Sequence, residues 1–82
     1  MYLGSCLCGK VNVKITGNIT SIIHCHCSLC RKNSGTAFAT NGFVNADEFL
    51  ITQGQDSLSG YAFKPGRARY FCACCGSPIY SE

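Results

Sequence analysis

Residues 24 to 30 read His24-Cys25-His26-Cys27-Ser28-Leu29-Cys30, and two cations, Arg31 and Lys32, follow at once. Three thiols and two imidazoles this close together suit a soft metal ion. Thiolates rather than thiols bind metal, and gathering three of them costs a mutual repulsion that a multivalent cation or disulfide formation relieves. Zn²⁺ is the default occupant of such a donor set. The other five of the eight cysteines form two groups, Cys6-Leu7-Cys8-Gly9 near the start and Cys72-Ala73-Cys74-Cys75-Gly76 near the end. The Cys-x-x-Cys-Gly that closes on Gly76 has the form of a zinc knuckle, in which glycine lets the chain turn so that backbone amides face the sulfurs.

Adjacent Cys74 and Cys75 cannot readily both face one metal, so one thiol is surplus, and the knuckle spacing selects Cys72 and Cys75. Joined to Cys6 and Cys8, they close a four-sulfur site with no vacant position, a structural staple between the two ends of the chain. Cys25, Cys27 and Cys30 remain. Three protein ligands leave a fourth position for water or a substrate sulfur, and that vacancy separates a catalytic zinc from a structural one. His24 or His26 could instead fill the position and make a second closed site, although a histidine next to its fellow ligand in sequence has difficult geometry. Cys74 reads as a bystander, and Tyr61, Phe63, Tyr70 and Phe71, at strand spacing, read as core.

These clusters need elements to position them, and the chain has only 82 residues. A single domain of this size, residues 1–82, buries little apolar surface, so metal, disulfides or oligomerisation must supplement the core. The N-terminus lacks the basic start and apolar run of a signal peptide, and no apolar stretch approaches membrane-spanning length. A cytoplasmic, reducing setting follows as the expectation, and it favours metal ligands over disulfides. The net charge of +3 and a pI near 8.5 are mild for a nucleic-acid binder, which concentrates cations on one face. A hairpin around Lys64 to Arg69 keeps that reading as the last in rank, and a small anionic ligand fits the charge equally well.

Lys10 to Gly17 alternates, with Val11, Val13 and Ile15 on one face, and predicts a half-buried strand ended by glycine. Ile19, Ile22 and Ile23 lead into a second strand expected to run through Cys27, since residues two apart in an extended chain share a face. Ser28 to Ser34 predicts a short helical turn that folds Cys30 back toward the other two thiols, with Gly35 as its stop. Thr36 to Thr40 reads as a strand broken by a tight turn at Asn41-Gly42. Asn45 and Glu48 resemble a capping arrangement for a single turn of helix before a strand at Phe49 to Thr52. Leu58 to Phe63 and Arg67 to Phe71 flank Lys64-Pro65-Gly66 as a hairpin. The fold class is all-β with short helical turns.

Three ordered motifs carry a resemblance over essentially the whole chain: Gly4-Ser5-Cys6-Leu7-Cys8-Gly9-Lys10-Val11, Cys25-His26-Cys27-Ser28-Leu29-Cys30-Arg31-Lys32-Asn33-Ser34-Gly35, and Tyr70-Phe71-Cys72-Ala73-Cys74-Cys75-Gly76-Ser77-Pro78. Together they resemble the glutathione-dependent formaldehyde-activating enzyme family, which also contains centromere protein V. The resemblance implies a small zinc-stapled β fold like that of methionine-R-sulfoxide reductases and of zinc-binding Rab exchange factors. It implies structural zinc at Cys6, Cys8, Cys72 and Cys75, and catalytic zinc at Cys25, Cys27 and Cys30. The implied activity is that of a carbon-sulfur lyase, with glutathione as co-substrate and formaldehyde or a similar small aldehyde as its partner, forming S-hydroxymethylglutathione. Arg31 and Lys32 are then placed to receive the tripeptide's carboxylates. Two departures stand out. The chain is short on its C-terminal side relative to the family, which would leave a sheet edge free to pair in a homodimer, and Cys74 lies outside the family pattern. The alternative reading is a non-catalytic scaffold or interaction module with two structural zinc sites.

Overall fold

A computed structural model describes residues 1–82. In chain order the strands are β1 (Tyr2–Ser5), β2 (Asn12–Ile15) and β3 (Ser21–Cys25), then helix α1 (Ser28–Ser34), then β4 (Ala39–Phe43) and β5 (Phe49–Gln53). A hairpin of β6 (Leu58–Lys64) and β7 (Arg67–Cys72) leads to β8 (Pro78–Ser81), and short 3₁₀ turns at Ala46–Glu48 and Gln55–Ser57 precede β5 and β6. All pairings are antiparallel and give three small sheets in the orders β1-β2-β5, β3-β4 and β6-β7-β8. The class is therefore mostly β with one short helix. No helix is long and apolar enough to cross a membrane.

The alternating stretch forms β2 as its pattern dictates, held between β1 and β5, with Val11 at its entry fully buried. Helix α1 spans the expected residues, and Gly35 ends it in the left-handed region at φ 69°, with its amide on the Arg31 carbonyl. The Lys64-Pro65-Gly66 hairpin also forms.

Local signals gave way to long-range pairing in several places. The strand expected to reach Cys27 stops at Cys25, because Cys27 caps α1 and its sulfur accepts from the Cys30 amide at 3.4 Å. Asn41-Gly42 makes no turn: it lies inside β4, opposite Ile23 and Ile22 of β3. A Cβ on Gly42 would stand 3.2 Å from Ile19 Cγ2, so the glycine admits a neighbouring side chain there. The strand starts at Ala39 rather than Thr36, whose hydroxyl is engaged by Ser34 and the Phe38 carbonyl. The single turn expected after Asn45 forms at Ala46–Glu48, but the Asn45 side chain donates to Glu48 Oε1 at 2.9 Å rather than capping the backbone. Tyr61, expected in the core, is 65% exposed, whereas Tyr70 stacks on Tyr80 at 4.6 Å between ring centres. Strand β8 has no sequence signal of its own, since Pro78 opens it and tertiary pairing with β7 completes it.

Only five residues are buried, Cys6, Val11, Cys30, Ala39 and Cys72, so three of the five core positions are cysteines. The surface of 5607 Å² exceeds the roughly 4800 Å² usual for a folded chain of 8.8 kDa. Between the sheets lies a hollow of about 1310 Å³.

Two glycines with positive φ test this packing. Gly54, at φ 83°, would drive a Cβ into the backbone carbonyl of Lys10, whereas Gly66, at φ 74°, has open space. Gly66→Ala should cost about 1 kcal/mol, the left-handed strain alone. Gly54→Ala should cost at least twice that, read as thermal unfolding of the metal-loaded chain, and equal losses would contradict the contact.

Candidate metal centres

The first cluster joins the ends of the chain. Cys6 follows β1, Cys8 sits in the turn before β2, Cys72 ends β7, and Cys75 lies in the turn before β8. Their four sulfurs all lie within 4.8 Å of one another, with Cys6 to Cys8 at 3.5 Å and Cys8 to Cys72 at 3.7 Å. The Val11 amide donates to Cys6 Sγ at 3.3 Å and lowers that thiol's pKa. Ser77 Oγ stands 3.2 Å from Cys75 Sγ. That hydroxyl, together with the amides of Ser77 and Cys8, lowers Cys75 to about 5. Cys74 stays outside the cluster, exposed, with Lys10 Nζ donating to its sulfur at 3.5 Å.

The second cluster is local. Cys25 ends β3, Cys27 caps α1, and the first helical turn brings Cys30 back over both, so that the three sulfurs lie within 4.8 Å. Cys25 and Cys27 sulfurs are 3.5 Å apart. Zinc-sulfur bonds of about 2.3 Å in a tetrahedron set sulfurs roughly 3.8 Å apart. Both clusters fit a soft metal by spacing and by their all-sulfur donors. Cys30 is lowered to about 7, first by the Cys25 thiol and then by Cys27 and Arg69. Cys25 is raised in turn, first by Cys30.

Neither imidazole joins the trio. His24 and His26 lie against Phe38, with ring centres 4.5 and 5.1 Å from it. Arg31 and Lys32 are exposed on the last turn of α1. The hollow between the sheets is lined by Cys25, Cys27 and Cys30 together with Phe63, Arg67 and Arg69, and not by Arg31 or Lys32.

One residue at this site escaped the sequence reading. Arg69 on β7 donates from Nη2 to Cys30 Sγ at 3.3 Å. The alternation Arg67-Ala68-Arg69 does put both arginines on one face, but no spacing rule says that this face meets a cysteine 39 residues away.

Fold and clusters together define a small antiparallel β protein whose two cysteine sets could each hold a metal ion. The chain belongs to the glutathione-dependent formaldehyde-activating enzyme family, whose model matches residues 1–82. Two relatives carry the name "Putative glutathione-dependent formaldehyde-activating enzyme". One, from Podospora anserina, is 34% identical over 77 residues, covering 92% of this chain and 36% of its own. The other, from Halomonas elongata, is 33% identical over 85 residues, covering 94% of this chain and 53% of its own. The chain thus spans about a third to a half of these relatives. A crystal structure of a Rhodobacter sphaeroides protein superposes with a TM-score of 0.81 at 23% identity, over 98% of this chain and 72% of that one, and shows the same fold.

Protons compete with metal for thiolates. The four-cysteine set offers an ion four sulfurs and the trio offers three, so an ion in the trio is held by fewer ligands and is lost to protons first. Acidifying the zinc-loaded chain should therefore release metal in two steps, the trio's at the higher pH, followed with a chromogenic chelator. Cys27→Ser should remove the first step and leave the second, and release in a single step would contradict the assignment.

Proposed function

We propose that this chain carries the thiol site of a zinc-dependent carbon-sulfur lyase that condenses glutathione with formaldehyde to S-hydroxymethylglutathione. The observation that carries the reading is the trio itself: the Cys25, Cys27 and Cys30 sulfurs converge at the wall of the hollow, and both neighbouring imidazoles turn instead to Phe38. Family membership supports the substrate pair.

Cys25, Cys27 and Cys30 would hold a zinc ion by three sulfurs, and the ion would supply a position where a thiol could bind as thiolate at neutral pH. The chain's own residues then do the positioning. Cys25, Cys27 and Cys30 fix where the fourth sulfur sits, beside a hollow large enough for a small aldehyde. Arg31 and Lys32, free at the end of α1, receive the tripeptide's carboxylates. In the reaction a carbon-sulfur bond forms between the glutathione sulfur and the aldehyde carbon, and the carbonyl oxygen gains the proton that the thiol gave up. Orientation of the two reactants supplies most of the acceleration. The four-cysteine set would hold a structural zinc, with all four positions supplied by protein. A cytoplasmic setting, which keeps thiols reduced, and a homodimer through an exposed sheet edge belong to the same reading.

Two-dimensional exchange NMR of glutathione with formaldehyde tests it. The zinc-loaded chain should speed the exchange, Cys27→Ser should return it to the uncatalysed rate with the four-cysteine zinc still bound, and Cys74→Ser should match the parent. A parent chain that binds both zincs yet leaves the exchange untouched is a scaffold, and the lyase reading then fails.

A further inference from the structure

Arg69 is held in an unusual way. Its Nη2 donates to Cys30 Sγ at 3.3 Å, its Nε is buried without a partner, and its guanidinium carbon lies 5.4 Å from the centre of the Phe63 ring. Sulfur and an aromatic face hold a group that elsewhere seeks a carboxylate. A half-buried guanidinium whose Nε–H is buried and unsatisfied is costly unless the atom it does reach carries negative charge.

That charge follows from the chemistry of the trio. Three thiolates around a divalent ion leave one net negative charge, and an incoming thiolate would add a second. Unrelieved, this repulsion favours a neutral fourth donor over an anionic one. The four-cysteine cluster has no comparable cation on a ligand sulfur: Lys10 donates to Cys74, outside the set.

We propose that Arg69 is a positioning residue for the thiol site: bonded to Cys30, it offsets the charge of the trio and its metal, so that the site accepts an anionic sulfur as fourth ligand. This rests on the reading of the trio as an open metal site. Arg69 acts through Cys30 and on charge, and so its effect is selective. It strengthens binding of a thiolate and leaves binding of a neutral ligand unchanged.

The test uses the full chain loaded with Co²⁺, whose sulfur-to-metal charge-transfer absorption reports a change of ligand at the trio against the constant signal of the four-cysteine site. The two probes are 2-mercaptoethanol, a thiol with no carboxylate for Arg31 or Lys32 to bind, and imidazole, a neutral donor. Arg69→Gln should raise the dissociation constant of 2-mercaptoethanol by about tenfold, the scale expected for one nearby charge in a partly solvated site. It should leave that of imidazole unchanged, which also shows that the variant has folded. Arg69→Lys should recover part of the loss. If Arg69→Gln leaves thiol binding unchanged, weakens both probes alike, or is not helped by lysine, the inference fails while the open site stands. A parent chain whose cobalt signal responds to neither probe overturns the open site itself, and the inference with it.

Discussion

The molecule depends on the two ends of its chain meeting at sulfur. Cys8 and Cys72, 64 residues apart, bring their sulfurs to 3.7 Å, with Cys6 and Cys75 completing the set. A cross-link over so long a loop removes about 4 kcal/mol of entropy from the unfolded chain, and metal ligation acts in the same sense. Two further hydrogen bonds join the same stretches, the Leu7 amide to Ser77 Oγ at 3.0 Å and Lys10 Nζ to Cys74 Sγ at 3.5 Å. The three sheets are small, each is built mainly from neighbouring segments, and the cluster of Cys6, Val11 and Cys72 is the one apolar nucleus where the first strands meet the last hairpin.

The same economy explains where burial falls. In a larger domain the deepest positions are aliphatic side chains, because burial of apolar surface is the dominant favourable term. Here the deepest positions are mostly thiols, and large apolar side chains such as Leu7, Leu3 and Ile22 remain exposed. An open hollow lies between the sheets, beside the small packed cluster. The trio sits in the wall of that hollow, while the four-cysteine set joins the β1–β2 turn to the β7–β8 turn.

What could be read in the sequence was whatever depended on short spacings. Cys-x-Cys and Cys-x-x-Cys place sulfurs together through the geometry of a few bonds, so the grouping of Cys6, Cys8, Cys72 and Cys75 and of Cys25, Cys27 and Cys30 emerged without coordinates. The helix at Ser28–Ser34 and the hairpin at Gly66 were legible for the same reason. What escaped depended on partners distant in the chain. Asn41-Gly42 has the composition of a turn, but β3 captures it as a strand. Strand β8 exists because β7 offers it an edge. Arg69 looks like one more solvated cation on a hairpin until the fold sets it against Cys30.

The contrast between the clusters carries a more general point about small metal-binding folds. Both are made of cysteine alone, and both have the spacing of a soft-metal site, so the ligands by themselves do not separate a staple from a reactive centre. Their surroundings differ. The four-cysteine set stabilises its thiolates with neutral donors, the Val11 amide and the Ser77 hydroxyl, which solvate charge without removing it. The trio has a full positive charge against one sulfur and a cavity beside it. Neutral donors would suit a site complete at four sulfurs, whereas a formal cation would matter most beside a site that takes one more anion, as proposed for the trio.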